Sequence, residues 1–296
     1  MAEITPRIPG VRVGSASVDR EAVRCRLFGS PLSQSLSPWV HDCFAKQRGI
    51  TIDYELIETK PEELKNRLEV ALKDGIRGIN LTIPLKEEGY GCCVTKSPRA
   101  HACGAVNVLS ATPDGWHGDN TDGSGFWRDL IDRHHFQNRD GRILVLGNGG
   151  AARGIVGHLI AASLDISLAV RNRDRGLRLA ESIHQHGYPR IPVYDLVRLP
   201  EDRSFQLIIN ATSAGLSGVL PDLHPRMFAS DPWVYDISYG PAARLFLSWA
   251  ARQGAAHVID GLGMLIEQAG EAFRLWTGCL CDTDPVYSIL REQYPL

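Results

Sequence analysis

No apolar run in this chain comes near the roughly 20 residues that a membrane-crossing helix needs. The opening segment, MAEITPRIPGVRVG, carries no apolar core of the secretory kind. Charge of neither sign is in excess: 32 basic side chains stand against 34 acidic ones, a formal net charge of −2. Binding to nucleic acid or to a membrane surface through bulk electrostatics is therefore not expected. The seven cysteines (Cys25, Cys43, Cys92, Cys93, Cys103, Cys279 and Cys281) contain no pair of C-x-x-C motifs, which argues against a zinc site. They read as small packing residues in a reducing compartment. The expectation is a cytoplasmic, soluble protein, monomer or homodimer, whose partners are small molecules.

What the chain does have is alternation. Its 296 residues suffice for two domains with full cores. Residues 1–22 lack periodicity and read as an extension. From residue 23, strand-like VRCRLFG is followed by SPLSQSLSP and a helical stretch, with Ser37 as its expected N-cap and Pro38 at its first position. TIDYELI alternates as a strand. PEELKNRLEVALKDG opens with proline, repeats Leu64, Leu68 and Leu72, and stops at Gly75, as a helix does. GINLTIP is another strand, LKEEGYGCC a short helix, and GAVNVLSATPDGWHGDNTDG a hairpin turning at Pro113-Asp114-Gly115. A linking helix is expected over residues 123–135.

RILVLGNGGAARG follows at 142–154: an apolar strand, a glycine turn and a helix start, the context a dinucleotide site requires. Gly147 suits the tight turn, Gly149 a close backbone approach to a pyrophosphate, and Ala152 the packing of helix on strand. The helix N-terminus offers free N–H groups to the phosphates. Further strands and helices then alternate to about residue 260, which predicts a doubly wound parallel sheet. LGMLIEQAGEAFRLW and VYSILREQY follow as helices with no strand between them, and are expected to return to the first domain. The fold class is thus α/β, with domains over 23–123 (completed by helices at about 264–296) and 124–263.

Polar residues gather where the first domain's strands end, the edge at which α/β folds bind ligands. Asn80, Thr82 and Lys86 lie in NLTIPLK, Asn107 in AVNV, and Asn120, Thr121 and Asp122 in GDNTDG. Singly, such residues are turn formers or solvated charges. Recurring in one domain just before a dinucleotide turn, they point to a ligand site.

These stretches resemble the shikimate dehydrogenase family, whose members reduce 3-dehydroshikimate in aromatic amino-acid biosynthesis. The matching motifs are SxSxSP at 33–38, NxTxPxKE at 80–87, GAVN at 104–107, GDNTDG at 118–123, GNGGAARG at 147–154, INATSAG at 209–215, YDISY at 235–239 and GLGMLIEQA at 261–269. The resemblance implies a substrate domain followed by a Rossmann domain for NADP. It implies that Ser35 and Ser37 hold the substrate carboxylate, that Asn80, Thr82, Asn107 and Gln268 bind ring hydroxyls with Tyr239 nearby, and that Lys86 and Asp122 are the catalytic pair. Cofactor contacts are implied at Gly147, Asn148, Gly149, Gly150, Ala151, Asn172, Arg173, Asp174, Arg175, Thr212, Ser213, Ile237, Gly261 and Met264.

The chain departs from the family at cofactor choice. Asn172 and Arg173 match the pattern that holds the 2′-phosphate, but Asp174 replaces a threonine and Leu177 stands where a later arginine is usual. A carboxylate near the ribose favours NAD, whereas Arg171, Arg173, Arg175 and Arg178 favour NADP by charge. NADP is expected, with NAD open. A quinate/shikimate dehydrogenase of dual specificity is the nearest alternative. A non-catalytic sensor would not need Lys86 and Asp122, both of which are present.

Overall fold

The computed structural model describes residues 22–296, except 138–140, 200–203, 221–222, 224 and 229. The extension expected over 1–22 lies, but for its last residue, outside the described residues. The first part of the chain runs β1 (Val23–Gly29), α1 (Ser37–Arg48), β2 (Ile52–Glu58), α2 (Pro61–Lys73), β3 (Gly78–Leu81), α3 (Lys86–Cys92), β4 (Thr95–Lys96), α4 (Pro98–Cys103), β5 (Val108–Thr112), β6 (Gly115–Asp119) and α5 (Asp122–Arg128). Its six strands form one sheet in the order β2-β1-β3-β5-β6-β4. β1 is parallel to β2 and β3, whereas β5 is antiparallel to β3 and to its hairpin partner β6. This sheet is therefore mixed.

The second part runs β7 (Ile143–Leu146), α6 (Gly150–Ala161), β8 (Ile166–Val170), α7 (Arg173–Gln185), β9 (Val193–Asp195), β10 (Leu207–Asn210), β11 (Trp233–Asp236), α8 (Pro241–Arg252), β12 (His257–Asp260), α9 (Leu262–Thr277) and α10 (Asp284–Gln293). Its sheet has the order β12-β11-β10-β7-β8-β9, with every pair parallel. The expected doubly wound sheet is observed. Strand order reverses between β7 and β10, so the loops after these two strands face one crevice.

Helices cover both faces of each sheet, packing on the buried strand residues. In the first sheet, Leu64, Leu68 and Ala71 of α2 pack against Phe28, Ile79 and Leu81. On the other side, Val40 and Phe44 of α1 meet Ile266 and Phe273 of α9 and Val286 and Leu290 of α10. Each such side chain contributes about 1.5–3 kcal/mol by leaving water. That cluster is why the C-terminal helices return to the first part of the chain, as their lack of an intervening strand predicts. In the second sheet, α6 and α7 cover one face and α8 the other.

Three local expectations change. Ser37 is not a cap but the first helical residue: Leu36 before it already has helical angles, with φ −84° and ψ −4°. Leu36 holds the cap position without a side-chain cap bond, the Ser37 N–H donates to Ser35 Oγ at 3.3 Å, and Pro38 is second in the helix. The linking helix ends at Arg128 and continues as a wide π turn over Asp129–Arg133. There the fully buried Asp129 accepts from Tyr235 Oη at 2.6 Å and from Arg133 Nη1 at 2.7 Å. Finally, β4 and α4 occupy a stretch with no predicted element; the Ser97-Pro98 start of α4, with Ser97 Oγ accepting from the Ala100 N–H at 3.2 Å, was its available signal.

Candidate active site

Three adjacent strands deliver the polar residues to one place. In the ladders Asn80 stands opposite Val108, and Val108 opposite Asp119. Asn107, just before Val108, therefore lies between Asn80 on β3 and the Asn120-Thr121-Asp122 turn leaving β6. Lys86 is the first residue of α3, and its carbonyl accepts from the Val106 N–H at 2.9 Å, which ties that helix start to the Asn107 segment.

The side chains form one network. Lys86 Nζ donates to Asp122 Oδ2 at 2.6 Å, and the two side chains are only 13 % and 4 % exposed, so water screens the pair little. The second carboxylate oxygen, Asp122 Oδ1, accepts from Asn107 Nδ2 at 2.9 Å. That amide nitrogen also lies 3.0 Å from Thr121 Oγ1 and 3.3 Å from Gln268 Oε1, while Asn107 Oδ1 accepts from the Thr121 N–H at 2.8 Å. Asn80 Nδ2 donates to the Asn107 carbonyl at 3.2 Å. Asp122 is held from behind as well: its N–H donates to Asn120 Oδ1 at 3.1 Å, and Asn120 Nδ2 to the Ala105 carbonyl at 3.1 Å. Lys86, Asp122, Asn107, Asn80 and Gln268, far apart in sequence, are thus one cluster.

The other expected substrate residues border it. Ser37 is buried and Ser35 half-buried at the start of α1. Tyr239 flanks the apolar cluster under α1 and meets Tyr294 edge-on at 6.1 Å. Burial, with Tyr294 beside it, pushes the Tyr239 phenol up to about 12, opposed by the Leu36 backbone between the two serines. Thr82 follows β3, its N–H donating to the Phe28 carbonyl at 2.9 Å; its side chain has no bond to the Lys86–Asp122 network. A groove of about 860 Å³ between β1, β2 and α2 is lined by none of these residues.

The glycine turn faces this network across the cleft. Gly147 has φ +103° and abuts the Ala211 carbonyl, where a Cβ would come within 2.8 Å, so only glycine suits the turn. A Cβ on Gly150 would lie 2.6 Å from Lys86 Cβ, which puts the first residue of α6 directly against the lysine. Above Gly149 there is open space, with nothing within 4 Å of a Cβ position. Asn148 Nδ2 is buried and has no hydrogen-bond partner among the described residues. An open turn, a helix N-terminus and an unpaired amide donor together fit the diphosphate of a dinucleotide.

At the end of β8, Asn172 caps α7 by accepting from the Arg175 N–H at 3.0 Å. Arg173, Asp174 and Arg175 are all exposed. Across the crevice Thr212 donates to Asn210 Oδ1 at 2.8 Å, and Ser213 is exposed. Ile237 and Met264 are apolar wall, with Gly261 packed on the Ile237 carbonyl. Ala151 is the half-buried second residue of α6.

Two supporting arrangements escaped the sequence reading. Glu87, next to Lys86, pairs with Arg153 of α6 at 3.0 Å and with Arg175 of α7 at 3.5 Å, joining the two sides of the cleft. Both Glu87 and Arg153 sit inside motifs quoted above, so their signal was present. Arg99 grips both oxygens of Asp119 at 2.6 and 2.7 Å and Glu271 Oε1 at 2.7 Å. Burial alone would raise the Asp119 carboxyl; the Arg99 guanidinium overcomes that and holds it below the usual range. These three residues span 172 positions and carry no local pattern.

Comparison with known proteins shows the family. Residues 27–109 match the shikimate dehydrogenase substrate binding domain, and residues 261–291 the shikimate 5′-dehydrogenase C-terminal domain. A shikimate dehydrogenase (NADP(+)) of Xanthomonas campestris pv. campestris is 42 % identical over 274 residues, 91 % of this chain and 96 % of the relative. Among solved structures, the Ael1 enzyme from Pseudomonas putida superposes with TM-score 0.80 at 31 % identity, covering 91 % of this chain and 98 % of that one. Shikimate 5-dehydrogenase from Thermus thermophilus, solved with NADP(H) and shikimate, superposes with TM-score 0.77 at 32 % identity, covering 91 % and 99 %. With its motifs in order, both halves of its fold in register and relatives of this similarity over nearly its whole length, the chain belongs to the shikimate dehydrogenase family.

Proposed function

We propose that this protein catalyses the reversible, NADPH-dependent reduction of 3-dehydroshikimate to shikimate. One observation carries the reading: a buried Lys86–Asp122 pair lies directly against Gly150 of the dinucleotide turn. Proton-transfer chemistry and hydride chemistry therefore share one cleft. NADP(H), when bound, supplies the hydride donor or acceptor.

The chain's own residues do the rest. Lys86 Nζ gives a proton to the carbonyl oxygen in reduction and takes it back in oxidation. Asp122, fixed by Asn107 and Asn120, keeps Nζ aimed at that oxygen as charge develops there. Hydroxyls of Ser35, Ser37 and Tyr239 surround the start of α1, a suitable set of donors for one carboxylate. Asn80, Thr82, Asn107 and Gln268 supply amides and a hydroxyl for the ring. A site of this kind rejects analogues that leave its polar groups unpaired. Gly147, Asn148, Gly149, Gly150 and Ala151 would hold the diphosphate, and Asn172, Arg173, Asp174 and Arg175 the adenosine end. Thr212, Ser213, Ile237, Gly261 and Met264 would line the remaining length.

The same reading assigns residues 23–123 with the helices from about 264 as substrate domain and 124–263 as cofactor domain. It places the protein in the cytoplasm as a monomer or homodimer. Seven free cysteines suit a reducing compartment, and among the described residues no helix is long and apolar enough to cross a membrane.

The test is initial-rate oxidation of shikimate and of quinate, each with NADP⁺ and with NAD⁺. Shikimate with NADP⁺ is expected to be fastest, the exposed arginines outweighing Asp174. Comparable rates with NAD⁺ or quinate would move the protein to a dual-specificity enzyme. Absence of turnover in all four pairings would overturn the assignment.

A further inference from the structure

Tyr54, in the middle of β2, belongs to none of the motifs quoted above. Its ring is half-buried and stacked on His41 at 4.5 Å with 17° between the planes, and it has Trp276 at 6.3 Å. The phenol points inward and donates to Asn80 Oδ1 at 2.7 Å, with Ser37 on its other side. Burial raises this phenol well above its ordinary range, so it remains a donor at neutral pH.

An asparagine amide has an accepting end and a donating end, and rotation by half a turn exchanges them. Here Asn80 Oδ1 is taken by Tyr54, and one Nδ2 hydrogen by the Asn107 carbonyl at 3.2 Å. The end left for a ligand is therefore the second N–H. Without the phenol the Asn107 carbonyl and the neighbouring His41 ring would be left to orient the amide, and the flipped form would no longer be opposed by the lost Tyr54 bond at Oδ1. The choice matters because a donor reads a hydroxyl oxygen, whereas an exposed amide oxygen would demand a donor from the ligand.

We propose that Tyr54 is a positioning residue for substrate recognition: by giving its O–H to Asn80 it fixes the amide with a donor facing the ligand, and it links that subsite to Ser37. The inference rests on the proposed reaction for its kinetic consequence but not for the orientation of Asn80. His41 backs the ring from behind; burial lowers that imidazole to about 3, so it stays neutral and the stack does not change charge at working pH.

The experiment is a double-mutant cycle in the full chain with Tyr54→Phe, Asn80→Ala and the pair. It reads KM and kcat for shikimate, KM for NADP⁺, and the Asn80 side-chain amide resonances by NMR. Tyr54→Phe is expected to raise KM for shikimate roughly tenfold, the scale of one hydrogen bond. It should leave KM for NADP⁺ alone, move the Asn80 amide resonances, and cost nothing further in the Asn80→Ala background. An equal penalty in both backgrounds would show a structural effect not acting through Asn80. An unchanged KM, or unmoved Asn80 resonances, would equally overturn the proposal. Should the unaltered protein fail to turn over shikimate at all, the proposed reaction falls, and the resonances still decide the role of Tyr54.

Discussion

Two lysine–aspartate pairs in this chain have the same 2.6 Å Nζ–Oδ2 distance. Lys46–Asp42 spans one turn of α1, with side chains 75 % and 50 % exposed. Lys86–Asp122 joins elements 36 residues apart, with side chains 13 % and 4 % exposed. Water screens the first pair and lets either partner leave; the second is enclosed, and Asp122 has further bonds that stop it turning away. Distance alone does not assign a role. Burial and the completeness of the surrounding bonds do.

A third group, His41, extends the comparison, being fully buried, with the uncharged Asn80 amide as its polar neighbour. It has the enclosure of Lys86 and no counter-charge, so the structure tolerates it only as the neutral ring.

The largest expected effect lies at the enclosed pair. Lys86→Ala should lower kcat about 10²–10⁴-fold, the range for a positioned acid–base group, and leave the Kd for NADP⁺ measured by fluorescence titration unchanged. Near-normal turnover in that variant would remove Lys86 from the chemistry and undo the contrast.

The next effect is on stability. The folded chain keeps His41 neutral down to about pH 3, because burial opposes its charge. The unfolded chain protonates it near 6.5, so below that pH the unfolded state binds the extra proton and acid favours unfolding. The loss is about 1.4 kcal/mol per pH unit, or about 2 kcal/mol at pH 5. His41→Phe should remove that slope from denaturation curves recorded between pH 7 and 5; an unchanged slope would show that His41 is not the group responsible. Asp236 in the second sheet has the opposite sign. Burial pushes its carboxyl up to about 6, so its contribution is present in acid and is lost as pH rises toward 6.

The smallest effect belongs to the exposed pair. Lys46→Ala should cost less than about 0.5 kcal/mol, and the cost should shrink further in about 1 M salt. A loss above about 1 kcal/mol by urea denaturation would mean that exposure is a poor guide even here.

The sides of the cleft also differ in how much could be read beforehand. On the glycine-turn side, RILVLGNGGAARG announces strand, turn and helix in consecutive residues, because the turn is made by backbone and needs only local glycines. The alternating strands and the amphipathic α2 were legible for the same reason: period and punctuation are local properties. The side of the Lys86–Asp122 pair is assembled from Asn80, Asn107, Asp122 and Gln268; the first three were visible at strand ends and Gln268 inside an apolar helix, while their bonds were not. Ser37 shows the limit at close range. Its cap role failed because Leu36 had already taken helical angles, a matter of one residue's backbone.

Local pattern in the chain was enough for the α/β class, the strand–glycine turn–helix unit at 142–154 and the family. Which of those groups meet is a tertiary matter. The packed fold set Gly150 against Lys86, carried Glu87 across to Arg153 and Arg175, used Arg99 to bind Asp119 to Glu271, and aimed Tyr54 at Asn80. Those contacts depend on strand order, on the antiparallel pairing of β5 and on the return of α9 and α10, which bury apolar area collectively. No window of neighbouring residues contains that information, because burial is a property of the whole chain and not of any segment of it.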